Sequence, residues 1–413
     1  MTNDNWLKIE LTKDLLFVKY SLWAIPLLEL WNHFLTVAFF KSFKLRDGLQ
    51  KKRIMKSFFF TFLFFGASYF SIAQQTKTEN LIIVTLDGFR WQELFGGADS
   101  ALINDSTYTR DTASLKQQFW ASSREERRKK LLPFFWTTLK GQGQLYGNRW
   151  KENKVDNANK YWFSYPGYNE IFTGFPDDSV NSNDKIWNQN ENVLEFINRQ
   201  PKYRNKVAVF ATWDVFPYIL NRQRSGLFIN ADADTLKFNT PELKLINEMQ
   251  FLTTKPVGLR PDIFTYFAAR EYLKVYKPKV LYIAFDETDD LAHAGMYDQY
   301  LAAAHAEDAM IADLWKIVQS MPQYKDKTTL IITCDHGRGY AVKDEWKQHG
   351  EKIKDAGQIW IAALGPDTAP KGEIVTGQTL YQKQVAPTLA ALLRLTFKPA
   401  HTVPEPITSI YKK

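Results

Sequence analysis

Cysteine is almost absent from this chain. Cys334 stands alone among 413 residues, so no intrachain disulfide can form. Histidine is scarce as well, six in all, and beyond residue 54 only His293, His305, His336, His349 and His401 remain. No internal repeat, low-complexity tract or linker-like stretch divides the sequence. Long apolar runs are also missing. Ser57 to Phe70 is short for a membrane span, and Ser21 to Phe40 is interrupted by Glu29, Asn32 and His33. Strong charge is lacking too. Of the formal +8, residues 1–73 carry +5, leaving about +3 for the rest. That is too little to mark a polyanion partner, and it argues against nucleic-acid binding as the main role. The run REERRKK (Arg124 to Lys130) reads as a solvated helix face.

What is present begins with a secretory pattern. In KKRIMKSFFFTFLFFGASYFSIAQQ, a basic cluster (Lys51, Lys52, Arg53, Lys56) precedes the apolar run, and Ser71 and Ala73 set up cleavage before Gln74. A lone cysteine by itself hints at a reducing compartment, but this pattern argues for export. The expectation is an upstream extension over residues 1–54, a signal peptide over 55–73 and one domain over 74–413. The mature protein is then periplasmic or secreted. No cysteine follows the apolar run to carry a lipid, so no stable membrane anchor is expected after cleavage.

With 30 Phe, 19 Tyr and 13 Trp, a sizeable core is available. Five apolar runs fit buried strands: Leu81–Leu86, Val207–Thr212, Val280–Phe285, Thr329–Thr333 and Gln358–Leu364. Each is separated from the next by enough chain for a helix, as parallel pairing requires. Asp298 to Met321 is the clearest helix. The alternation predicts an α/β fold, a three-layer sandwich around a mostly parallel sheet. The polar stretches Ala98–Lys130 and Asn230–Pro261 read as insertions, partly helical, that could cap a site.

Metal-binding residue types gather where these strands end, the edge at which open parallel sheets place their function. Leu81–Leu86 runs into Asp87, Val280–Phe285 leads to Asp289 and His293, and Thr329–Thr333 leads to Asp335 and His336. Asp289 and His293 are four apart, on one face of a helical turn. A carboxylate and an imidazole buried at a sheet edge are costly unless something pairs with them. His349 precedes the last strand and can reach the same edge, whereas His305 and His401 read as packed or loop residues. Two sets of three ligands result: Asp87, Asp335 and His336, then Asp289, His293 and His349. Such mixed sets suit two divalent metal ions, zinc first, with manganese possible.

The order Asp-Gly, Ser-x-Pro…Thr-Gly, Asp-x-x-x-His, Asp-His-Gly, His-Gly resembles the alkaline phosphatase superfamily over residues 80–365. The nearest branch is that of the type I phosphodiesterases and nucleotide pyrophosphatases. The resemblance implies an alkaline phosphatase-like fold and hydrolysis of a small-molecule phosphoester. It implies that Ser164, in FSYPGYNEIFTG, is the nucleophile and also contacts the metal held by Asp87, Asp335 and His336. The other three ligands hold the second metal, and a phosphoserine intermediate forms and is hydrolysed. Ser164 is also expected to cap its helix, whose N-terminus favours anionic oxygen.

The chain departs from that pattern in places. Relatives usually carry threonine at the nucleophile and asparagine three residues on, where this chain has Ser164 and Gly167. Asn169 or the Gly167 backbone would then have to contact a non-bridging oxygen. The magnesium-type carboxylate five residues before the metal aspartate is replaced by Ala284, so two metals are expected. Arg222 and Arg224 are candidates for gripping phosphate, which would favour monoesters. Three rival functions fit parts of the pattern. Sulfatases share the fold, but this chain has Tyr168 where their motif has arginine. A phosphoglycerate mutase-like enzyme would use a similar serine with two metals, and a non-catalytic metal-stabilised binding protein would need the ligands alone. Trp91, Phe95, Trp162, Tyr165 and Tyr168 flank the motifs, either as stacking groups or as core.

Overall fold

A strand sandwiched between helices must be apolar on both sides, and the central strands here are buried at every position. The structure, a computed structural model, describes residues 76–411 apart from 238, 239, 256, 257, 376 and 378. The signal peptide and upstream extension expected in residues 1–73 therefore lie outside the described residues. Eleven strands are present among the described residues. They are β1 (Asn80–Leu86), β2 (Gln144–Tyr146), β3 (Lys154–Asp156), β4 (Val207–Ala211), β5 (Phe228–Ala231), β6 (Val280–Phe285), β7 (Thr328–Thr333), β8 (Gln358–Ile359), β9 (Ile361–Leu364), β10 (Gly372–Glu373) and β11 (Thr379–Tyr381).

The main sheet has eight strands in the order β10-β2-β9-β7-β1-β6-β4-β5, and a small sheet has the order β11-β3-β8. β1 lies between β6 and β7 and pairs with both in parallel. β9 runs antiparallel to both β7 and β2. Four of the five expected strands match within a residue at each end. The fifth, Gln358–Leu364, is instead two strands in different sheets. Trp360 divides them, fully buried, with its indole N–H on the Phe89 carbonyl at 2.9 Å. Besides β8, the link from β7 to β9 holds one short 3-10 helix, Lys343–Lys347, and no α-helix. Without a crossover helix the chain returns antiparallel.

Helices cover both faces. They include α1 (Arg124–Leu131), α2 (Ser164–Thr173), α3 (Asp262–Tyr276), α4 (Glu287–His293) and α5 (Tyr297–Ser320). Tyr282 and Ile283 are neighbours on β6 and so face opposite ways. Tyr282 meets Phe172 of α2 at 4.6 Å. Phe210, in register with Ile283, meets Tyr272 of α3 at 5.3 Å. α2 and α3 therefore cover opposite faces, giving three layers. α5 matches the helix expected from the sequence. No helix among the described residues is long and apolar enough to cross a membrane.

The expected insertions are partly helical, with Ser100–Ile103, Thr112–Phe119 and α1 in the first and Pro241–Leu252 in the second. α1 is more than a solvated face. Arg128 is 4% exposed, sits 3.5 Å over the Trp136 ring and donates to the Phe95 carbonyl. The guanidinium plane stacks on aromatic rings where an ammonium would not, so a charge run can also be a packing surface.

Candidate active site

Three strand ends bring the ligand-type residues together. Asp87 follows β1 and is 1% exposed, while Asp335 and His336 follow β7 and are fully buried. Gly88 has φ +57, and a Cβ there would stand 2.6 Å from Asp289 Oδ1. Only glycine lets the β1 turn come this close to α4. The Gly88 N–H donates to Asp335 Oδ1 at 3.0 Å, tying the two turns. Asn157 and Gln382 side-chain amides both donate to the Asp335 carbonyl at 2.7 Å. α4 begins directly after β6 and carries Asp289 and His293 one turn apart, with His293 Nε2 at 3.2 Å from Asp289 Oδ2. His349 arrives on the loop before β8, its Nε2 2.8 Å from His293 Nε2 and its ring stacked on His336 at 4.0 Å.

Five of the six expected ligands fall into two close groups, while His293 stands beside His349 and Asp289 and belongs to neither. Asp87, Asp335 and His336 form one group with ligand atoms within 4.8 Å of one another, and Asp289, His336 and His349 form another. His336 stands between the two, where the sequence had assigned it to the first alone. Its Nε2 is 3.4 Å from Asp87 Oδ1, 3.4 Å from Asp335 Oδ2 and 3.7 Å from Asp289 Oδ1.

Ser164 does not cap its helix. It is the first residue of α2, and the capping position falls on Phe163, whose backbone is extended. Asn183 Oδ1 takes the Tyr165 N–H instead, at 2.9 Å. This leaves the Ser164 hydroxyl free of the helix end, and its Oγ lies 3.4 Å from His336 Nε2.

The other candidates are engaged within the protein. The Gly167 N–H is bonded to the Phe163 carbonyl at 3.0 Å. Asn169 donates to Phe175 O at 2.8 Å, and its Oδ1 accepts from Asn188 and Asn190. Arg224 binds Glu195 and the carbonyls of Asn188, Gln189 and Asn190. Arg222 binds Asp234 and the Ile229 carbonyl. His305 meets the Leu131 carbonyl and His401 the Thr173 carbonyl. Of the flanking aromatics Trp91, Phe95, Tyr165 and Tyr168 are core. Trp162 is half-buried, and its carbonyl faces His349 Nδ1 at 3.3 Å.

Arg338 escaped the sequence reading, and Tyr168, expected only as a stacking or core aromatic, is bonded to a candidate ligand. Tyr168, fully buried one turn after Ser164 on α2, donates to Asp87 Oδ2 at 2.8 Å. Arg338, 1% exposed, binds the Asp289 carboxylate and donates to the Asp289 and Lys347 carbonyls. The spacing i, i+4 from the serine and the position just after Asp-His-Gly were the available signals.

These residues fit divalent cations. Asp87 Oδ1 and Asp335 Oδ2 are buried and have no hydrogen-bond partner, and a buried unpaired carboxylate oxygen is costly. Burial pushes both carboxyls well above their usual range, and the neighbouring carboxylates add to it. Bound cations reverse such shifts. Burial, then the adjacent His336, pushes His349 well below the usual imidazole range, which suits a neutral metal ligand. For Asp289 burial acts upward, but Arg338 and the imidazoles outweigh it and hold the carboxyl well below its usual range.

A mostly parallel sheet with carboxyl and imidazole groups gathered at its strand ends is the architecture of alkaline phosphatase-like folds. The profile of the Type I phosphodiesterase / nucleotide pyrophosphatase family matches residues 102–386, and the chain belongs to that family. Its members are metal-dependent. Solved structures share the fold at low identity. The lipoteichoic acid synthase LtaP from Listeria monocytogenes is 14% identical with a TM-score of 0.51, over 78% of this chain and 73% of that one. The alkaline phosphatase PafA is 11% identical with a TM-score of 0.50, over 83% and 100%. Murine ectonucleotide pyrophosphatase / phosphodiesterase 5 is 12% identical with a TM-score of 0.50, over 79% and 97%. No curated protein matches the chain.

Proposed function

We propose that this chain is an exported phosphoester hydrolase with two metal ions and Ser164 as its nucleophile. The observation that carries this reading is the Ser164 hydroxyl, 3.4 Å from His336 Nε2 and beside the point where both ligand groups meet. Asp87, Asp335 and His336 would hold one divalent cation and Asp289, His293 and His349 the other, zinc suiting the mixed donors best. When bound, such cations supply Lewis-acid stabilisation of the oxygens that gain charge in phosphoryl transfer.

The chain's own residues do the positioning. α2 presents Ser164 at its N-terminus, where the helix dipole favours an anionic oxygen. Gly167 lets α2 approach the end of β7, since a Cβ there would stand 2.5 Å from the Asp335 carbonyl. Ser164 Oγ attacks phosphorus, the ester oxygen leaves with its electron pair and takes up a proton, and a phosphoserine forms. Water then adds to phosphorus, the Ser164 oxygen departs and is reprotonated, and phosphate or a phosphomonoester is released. A serine hydroxyl is a weak nucleophile unless its environment lowers its pKa. Its place among the ligand atoms supports that role. Export rests on the basic cluster and apolar run in residues 51–70.

The test compares turnover of p-nitrophenyl phosphate, bis-p-nitrophenyl phosphate and p-nitrophenyl sulfate by the zinc-loaded chain. Either phosphate should be hydrolysed, with a loss of roughly 1,000-fold or more in Ser164→Ala, the scale seen when a catalytic nucleophile is removed. Turnover of the sulfate alone, or a Ser164→Ala variant as active as the wild type, sinks the proposal.

A further inference from the structure

Resting on the two-metal reading, we infer that the two ligand groups grip divalent cations unequally, the Asp87 group tightly and the Asp289 group weakly. Tyr168 and Arg338 set the difference.

In the first group each residue has one atom fixed by the protein and one left open. Asp87 Oδ2 accepts from Tyr168 and Asp335 Oδ1 accepts from Gly88, while His336 Nδ1 lies 2.9 Å from the Gly337 carbonyl. That leaves Asp87 Oδ1, Asp335 Oδ2 and His336 Nε2, and the two carboxylate oxygens have no other bond. All three side chains are buried to within 1%. Outer partners that fix orientation in this way are what raise a site's affinity.

The second group is built differently. Both Asp289 oxygens are already engaged, one by Arg338 and the other by His293. Arginine cannot shed its proton, so a fixed positive charge touches the one carboxylate of the group. That charge repels a dication and competes for the same oxygen. The group is also more open, with the His293 side chain 40% exposed against 0% for His336. A cation there exchanges with solvent more readily.

The test strips the full chain with a chelator and titrates it with zinc alone against a chromophoric competitor. Two steps should appear, differing tenfold or more in affinity. Tyr168→Phe keeps the ring packed against Phe216 and should weaken the tight step about tenfold, the usual effect of losing an outer-sphere partner, without moving the weak one. Arg338→Met should tighten the weak step, and Arg338→Lys, which keeps the charge, should leave it weak. His293→Asn should erase only the weak step, so the order of loading stays readable if Arg338→Met does not fold. Two equal steps, loss of the tight step in His293→Asn, or a weak step that Arg338→Met leaves alone or weakens further would overturn the inference. Unequal zinc binding without phosphoester turnover would leave it standing and defeat the hydrolase reading instead.

Discussion

Gly167 has almost no room to change. A methyl group there meets the Asp335 carbonyl at 2.5 Å, closer than carbon and oxygen tolerate. Gly167→Ala must push α2 away from the end of β7, and Ser164 moves with it. Such overpacking costs about 1–3 kcal/mol. The expected result is a lowered thermal midpoint together with reduced kcat on p-nitrophenyl substrates. An unchanged kcat would mean that Ser164 need not stand where α2 holds it. The same close approach explains a departure visible in the sequence. A side chain at 167 would strike the backbone of Asp335.

At the scale of elements, α5 holds the segment after α1 through one carboxylate. Asp308 accepts the N–H groups of Phe134 and Phe135 at 2.8 and 3.1 Å and is 2% exposed. Asp308→Ala leaves two donors unpaired and should cost about 1–3 kcal/mol, measured by urea unfolding near pH 4, where the carboxyl's contribution is full. Burial raises the Asp308 carboxyl to about 6, against the two hydrogen bonds that oppose it. Because its folded pKa lies above the unfolded one, its favourable contribution is full below about pH 4 and is lost as pH rises through 6. Asparagine does not titrate. The stability of wild type relative to Asp308→Asn should therefore fall between pH 4 and pH 7, by up to about 3 kcal/mol at about 1.4 per pKa unit. A flat difference across that range would contradict the shift.

The elements also show what the sequence could and could not tell. β1, β4, β6 and β7 were legible because each is a short apolar run followed by polar chain. β2 and β10 are three and two residues long, too short for any period to show. The direction of β9 depends on a link that happens to lack a helix, which its apolar residues do not encode. Asp87, Asp289, His293, Asp335 and His336 were legible as candidate ligands because each comes soon after a strand, and His349 because it precedes one. The bond from Tyr168 to Asp87 was not, since a tyrosine beside the motif reads as a stacking or core ring, nor was Arg338, since an arginine after a glycine reads as surface.

Across the whole molecule, the strand ends of β1, β6 and β7 meet at one cluster of carboxyl and imidazole groups. Cations binding there would stabilise the folded chain by mass action, about 2.7 kcal/mol at a hundredfold excess over Kd. Chelator treatment should lower the thermal midpoint, and zinc should restore it at pH 7.5. The gain should shrink as the pH falls toward 5, since protons compete for the same ligand atoms. A midpoint indifferent to chelator and zinc at both pH values would mean that no cation is held.

The chain's one thiol sits directly behind this cluster. Cys334 is fully buried between the last residue of β7 and Asp335, and burial pushes its thiol well above the usual range. A thiol so placed is inert to reagents while the strand end stays closed, and it becomes reactive when that end opens. No other cysteine competes for label. The protein thus carries a single-site reporter of its own. The rate at which Cys334 is alkylated, with zinc and without, counts how often the floor of the site comes apart.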